Sequence, residues 1–132
     1  MISETVTGGA SGLGEASAKD LAAHGAKVVV ADLNLEGAQR VAEEIKRAGG
    51  EAAAFSMDAS TREGNKAAVD FAVKTFGGLQ LALNNAGING PGAKIGEMDL
   101  DKWDFVIQLT LNGSVHGLHH QIAHRATSRL RC

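Results

Sequence analysis

Three observations in this 132-residue sequence predict an α/β fold, a parallel sheet with helices on both faces. Short β-branched or apolar runs alternate with longer stretches of helical periodicity, the pattern of right-handed βαβ crossovers. Each run ends in a polar or glycine-rich turn, so turn chemistry recurs at one edge of the sheet, the edge at which open α/β sheets bind ligands. The first of these turns, Thr7-Gly8-Gly9-Ala10-Ser11-Gly12-Leu13-Gly14, joins a β-branched run to an Ala-rich helix through spaced glycines.

Taken in order, Glu4 to Thr7 is the first strand, short against the roughly 5–6 residues of an ordinary strand. Ser11 is placed to cap a helix reaching about His24, whose Ala16, Ala18, Ala22 and Ala23 allow close packing on a sheet, and Gly25 ends it. Lys27 to Ala31 is a Val-rich second strand that ends at Asp32. Asn34 caps a second helix, with Ala38, Val41, Ala42, Ile45 and Ala48 at helical spacing, before Gly49-Gly50 stops it. Glu51 to Phe55 is the third strand, although alanine is a poor strand former. Ser60 or Thr61 starts a helix through Phe76, and Leu79 to Leu83 is a fourth, fully apolar strand leading into Asn84-Asn85-Ala86-Gly87. After a loop that holds the only proline, Asp99 caps a last helix, with Trp103, Ile107, Thr110, Ser114, Leu118 and Ile122 on or near one face.

Composition narrows the function. The length fits one domain and the 44% hydrophobic content supplies a core. A net charge of −2 leaves no electrostatic footprint for nucleic acid or an anionic membrane. No segment approaches the ~20 apolar residues of a membrane span, and Met1 to Glu4 lacks the basic flank and apolar run of a leader. The single cysteine, Cys132, excludes an intrachain disulfide and fits a reducing compartment, so a cytoplasmic location is expected.

The glycine turn carries the chemistry. Glycine leaves no Cβ between the main chain and a ligand, so a pyrophosphate can approach the backbone closely, while the helix behind the turn aims unpaired N–H groups and its positive dipole end at the anion. Asp32, at the end of the second strand, stands where a carboxylate accepts hydrogen bonds from an adenosine ribose. Asp58 and Asn84 to Gly87 follow the third and fourth strands at the same edge.

With these features together, the sequence resembles the short-chain dehydrogenase/reductase family, whose glycine pattern T-G-x-x-x-G-x-G is matched fully by Thr7 to Gly14. The resemblance runs from about Thr5 to Ile122. It implies a Rossmann-type sheet in order 3-2-1-4, incomplete relative to the family, carried by residues 1–123. It also implies an NAD site made by Gly8, Ser11, Gly12, Leu13 and Gly14 at the pyrophosphate, and Asp32 and Leu33 at the adenosine ribose. Asp58 and Ala59 would frame the adenine, and Asn85, Ala86 and Gly87 would run beside the nicotinamide ribose. NAD is expected over NADP, because Asp32 would meet the 2′-phosphate with like charge and no cation stands at Ser11, Leu33 or Asn34. The longer form would move hydride between NAD(H) and a ketone or secondary alcohol, and the 99–123 helix would serve self-association.

The departures are equally specific. The family's catalysis uses a serine, then a tyrosine and a lysine four residues later, all beyond the last helix, and this sequence contains no tyrosine. No residue is therefore assigned a catalytic role. Seven residues after Trp103, where members read N-L-x-G, the chain reads Thr110-Leu111-Asn112-Gly113, and Asn112 is about 200° round a helix from Thr110. No Asp or Glu follows Asp104, while His124 to Cys132 is a basic tail holding Arg125, Arg129 and Arg131. A shifted reading frame, an alternative splice or a truncation before the Ser-Tyr-Lys region would give such a tail. His116, His119, His120 and His124 lack a nearby cysteine or carboxylate as a further metal ligand, so solvated or interface histidines and no metal site are expected. The alternative readings are a non-catalytic dinucleotide-binding or interaction protein, or a non-functional fragment.

Overall fold

In the computed structural model, which describes residues 2–129, four parallel strands form one sheet in the order β3-β2-β1-β4. The strands are β1 (Ser3–Thr7), β2 (Lys27–Asp32), β3 (Glu51–Ser56) and β4 (Leu81–Leu83). Helices α1 (Gly12–Ala23), α2 (Leu35–Arg47) and α3 (Arg62–Phe76) make the crossovers. The fold class is the one the sequence predicts, and the strand order is the one the resemblance implies.

Strand register sorts the side chains between two layers. Val6 is flanked by Val30 and Leu83, and Glu4 by Val28 and Leu81. Val6, Val28 and Val30 are fully buried against Ala18 and Ala22 of α1 and Ala38, Val41 and Ile45 of α2. On the other face Val29 and Ala31 meet Ala68, Val69 and Ala72 of α3, and Phe55 stacks on Phe71 at 4.6 Å between centroids. Small residues on the helices let these layers close down on valine, which is why a chain with 4% aromatic residues still forms a dense core.

The strand ends differ from the sequence reading. β1 begins one residue earlier, at Ser3, whose N–H and hydroxyl both donate to Gln80 Oε1 at 2.8 Å. β4 is shorter than Leu79–Leu83: Leu79 is buried in the α3-side cluster ahead of the ladder, so its apolarity reflects packing rather than strand pairing.

Asn34 and Thr61 cap α2 and α3 by accepting from the N–H groups of Gly37 and Gly64. Ser11 sits at the N-cap position of α1 with extended backbone, but its side chain makes no capping bond, contrary to expectation. Ser11 is exposed and lines the cleft described below.

The last helix is not one regular α-helix. Asp99 caps α4 (Leu100–Val106), a wide π-helical stretch follows over Ile107–Asn112, and α5 (Gly113–Arg129) continues beyond Ile122 into the basic tail. This insertion breaks the expected apolar face. Trp103, Leu118 and Ile122 are exposed, whereas the buried positions of α5 include Gly113 and Gly117. The widening lets Gln108 donate from Nε2 to the Ser60 carbonyl at 2.9 Å while Gly113 lies against Ala59. Met1, Arg131 and Cys132 lie outside the described residues.

Candidate functional site

The carboxyl ends of the strands open on a cleft of about 820 Å³. Of the residues the sequence assigns to a cofactor, all except Gly12 and Gly14 line it, including Gly8, Ser11 and Leu13 from the glycine turn, Asp32 and Leu33 after β2, Asp58 and Ala59 after β3, and Asn85 to Gly87 after β4.

The two exceptions have other tasks. Gly14 is buried under the turn: a Cβ there would stand 2.1 Å from the Gly8 carbonyl oxygen and 2.6 Å from Asn85 Nδ2, so only glycine lets α1 start this close to the strand ends. Gly12 has φ +56°, a left-handed value that favours glycine, and open space where a Cβ would be. The turn therefore offers bare backbone and the first N–H groups of α1 to the cleft. This suits a bulky anion such as a pyrophosphate.

Asp32 is partly buried, and each carboxylate oxygen accepts one backbone N–H: Oδ2 from Ala10 at 3.1 Å, Oδ1 from Asn34 at 3.0 Å. Lone pairs remain on both oxygens for a diol facing the cleft. Leu13 and Leu33 are 81% and 72% exposed, apolar lips on either side of the turn. Asp58 is exposed but committed, since its Oδ1 accepts from both the N–H and the hydroxyl of Ser60, and this shapes the loop that carries Ala59.

Asn85 ties the ends of β1 and β4 together. Its Nδ2 donates to the Thr7 carbonyl at 3.2 Å, and Thr7 Oγ1 accepts from the N–H groups of Asn85 and Ala86. Asn84 forms a reciprocal amide pair with Gln121 of α5, at 3.0 and 2.8 Å. α5 lies close enough for this because it presents glycines: a Cβ on Gly117 would stand 2.5 Å from Asn84 Oδ1, and one on Gly113 2.5 Å from the Ala59 carbonyl oxygen.

Besides Thr110, which the sequence singles out at the family's Asn position, several positions at the cleft escaped the sequence reading. Phe105 and Leu109, four residues apart, line the cleft from the last helical segment, and Thr110 joins them there with its Oγ1 accepting from the Ile88 N–H at 3.4 Å. Their spacing after the Asp99 cap was the available signal. A shallower hollow of about 510 Å³ continues from Ile88, Asn89 and Phe105 to Pro91, Lys102 and Val106. Buried Asn65 donates from Nδ2 to the Ala59 and Thr61 carbonyls and so holds the loop after β3, with no local pattern to announce it.

The histidines of α5 show no comparable convergence. His119 and His120 meet edge to face at 4.9 Å, and burial, then the neighbouring His119, push the His120 pKa below its usual value. No described helix is long and apolar enough to cross a membrane.

The family model for short chain dehydrogenases matches residues 5–128. Cyclohexanol dehydrogenase of Acinetobacter sp. (strain SE19) is 45% identical over 117 residues, 89% of this chain and 47% of that protein. The 2,5-dichloro-2,5-cyclohexadiene-1,4-diol dehydrogenase LinX of Sphingobium indicum is 44% identical, over 77% of this chain and 40% of its own length. A crystal structure of a short chain dehydrogenase from Mycobacterium avium superposes with a TM-score of 0.91 at 35% identity, covering 98% of this chain and 48% of that one. The chain thus spans about half the length of the relatives it matches. Glycine turn, strand-end residues, sheet order and matched sequence agree, and the chain belongs to the short-chain dehydrogenase family.

Proposed function

We propose that residues 1–123 form the NAD-binding part of an oxidoreductase whose longer form transfers hydride between NAD(H) and a secondary alcohol or ketone. The observation that carries this reading is the cleft itself, in which bare backbone at the start of α1 and the Asp32 carboxylate face the same space. NAD would lie with its pyrophosphate on the glycine turn, its adenosine ribose on Asp32 and its nicotinamide end toward Asn85 to Gly87. Bound there, it supplies the hydride acceptor. Two of the similar proteins are named for alcohols on six-membered carbon rings, and the hollow lined by Ile88, Pro91, Phe105 and Val106 continues from that end of the cleft. An alicyclic alcohol is accordingly the substrate class we assign.

Calorimetric titration of the chain with NAD and NADP tests the cofactor reading. NAD should bind at least tenfold more tightly, and absence of saturable NAD binding by a folded sample would overturn the assignment.

A second reading, self-association through the 99–123 helix, is favoured by one observation. Leu111, Val115, Leu118 and Ile122 recur at helical spacing and are all about half exposed or more. Light scattering over a concentration series should show association that Leu118→Glu abolishes. A monomer at every concentration would count against it.

A further inference from the structure

Arg40 lies on the surface of α2, yet its guanidinium reaches back to the glycine turn. Nη2 donates to the Ala10 carbonyl at 3.1 Å and to Glu15 Oε2 at 2.8 Å, while Nη1 donates to Glu15 Oε1 at 3.1 Å and to Glu44 Oε1 at 2.9 Å. Lys19 donates to the same Glu15 Oε1 at 2.6 Å and pairs with Glu44. The other backbone group of Ala10, its N–H, is held by Asp32. One residue of the turn is thus gripped at both ends by side chains of opposite charge.

We propose that Arg40 is a positioning residue for the anion cradle, acting through the Ala10–Ser11 peptide and through Glu15; this rests on the dinucleotide reading above. A trans peptide holds its C=O and N–H on opposite sides. Anchoring the Ala10 oxygen on the α2 side turns the Ser11 N–H the other way, and Ser11 lines the cleft. The second part is electrostatic. Glu15 stands in the first turn of α1, where the helix would otherwise attract an anion, and an uncompensated carboxylate there repels a pyrophosphate. Arg40 and Lys19 balance Glu15 and Glu44 charge for charge. The Arg40 hydrogen bond, followed by that from Lys19, lowers the Glu15 pKa to about 2, so the balance persists wherever a dinucleotide binds.

NAD titrations of the wild-type chain, Arg40→Gln, Arg40→Lys and the Glu15→Gln/Arg40→Gln double variant, at low and high salt, test the proposal together with melting temperatures and amide hydrogen exchange of Gly9 to Gly14. Arg40→Gln should weaken NAD binding by about tenfold, more at low salt than at high, with a small change in melting temperature and faster exchange at the Ser11 amide. Arg40→Lys should recover part of the affinity, and the double variant should lose the added salt dependence. Unchanged affinity and exchange in Arg40→Gln would overturn the proposal, as would a loss that follows melting temperature and is not relieved by Glu15→Gln. If the wild-type chain binds no NAD, the dinucleotide reading fails, and the Ser11 exchange rate still decides whether Arg40 sets the turn.

Discussion

The hydroxyl of Thr7 accepts the backbone N–H of Asn85 at 3.0 Å, and the Asn85 side chain returns a bond to the Thr7 carbonyl at 3.2 Å, so the carboxyl ends of β1 and β4 are laced together at the floor of the cleft. Thr7→Val removes the acceptor and keeps the shape. The N–H groups of Asn85 and Ala86 then lose a shared partner. Unfolding in urea should show a loss of about 1–3 kcal/mol, the cost of leaving such donors unpaired. A loss below about 0.5 kcal/mol would mean that water replaces the hydroxyl.

α5 should prove sensitive to a single methyl group. Gly113→Ala would press a Cβ onto the Ala59 carbonyl, which belongs to the backbone, whereas the Cβ of Gly117→Ala would meet the Asn84 side-chain amide, which can turn aside by giving up Gln121. Both variants should be destabilised, by about 1–3 kcal/mol, with Gly113→Ala the worse. Equal stability of Gly113→Ala and wild type would show that α5 docks less closely.

The α/β class and the cleft were legible because they depend on local signals: Val-rich Lys27–Asp32, the glycine turn, and polar residues at each strand end; the strand order came from the family resemblance, since no local signal fixes which strands pair. What depended on distant partners was not. Leu79 reads as strand because burial and strand pairing leave the same apolar mark, although it packs on α3 instead. Ile107–Asn112 carries ordinary helix formers, and its widening follows from Gln108 and Gly113 meeting the loop after β3. Arg40 reads as a solvated helix residue, since nothing between positions 10 and 40 announces that its guanidinium will meet Ala10.

Two carboxylates should shift stability with pH in opposite senses. Glu15, lowered from 4.5 to about 2 by Arg40 and then Lys19, is ionised in the folded chain at pH values that protonate it in the unfolded chain. Its contribution is present above about pH 4.5 and is lost as pH falls toward 2. Glu4, 4% exposed with Oε2 unpartnered, has its pKa raised by desolvation. Its ionisation therefore weakens the fold as pH rises through that raised value. Glu4→Leu should raise the melting temperature at pH 7 by a few degrees and by less in acid, while Glu15→Gln should flatten the acid side of the curve. A lower melting temperature for Glu4→Leu at pH 7 would reveal an unseen partner for that carboxylate.

Oxidising an alcohol requires a group that takes its O–H proton, the same group that protonates the carbonyl oxygen in the reverse direction, and the tyrosine that the family resemblance calls for has no counterpart among these 132 residues. General acid–base help is worth roughly 10²–10⁴-fold, and a misplaced reacting pair loses more. The purified chain should therefore bind NAD without reducing it in the presence of cyclohexanol, followed by NADH absorbance. Steady turnover would demand another proton-transfer group from the cleft, with Thr110 the first to be replaced.

Selection of NAD over NADP should reside in the charge of Asp32 and be separable from its support of the turn. A 2′-phosphate would lie about 4 Å from the carboxylate, where two like charges repel by ~1 kcal/mol in water and ~4 kcal/mol at an intermediate dielectric. The same carboxylate holds the Ala10 and Asn34 N–H groups. Asp32→Ala therefore removes repulsion, ribose contacts and turn support together, and should weaken both dinucleotides. Asp32→Asn keeps one acceptor oxygen and removes the charge. It should bind NAD several-fold more weakly than wild type but improve NADP relative to NAD by about tenfold, equivalent to 1.4 kcal/mol. If Asp32→Asn leaves the ratio of the two affinities unchanged while Asp32→Ala weakens both equally, Asp32 acts on the turn alone and something else reads the ribose.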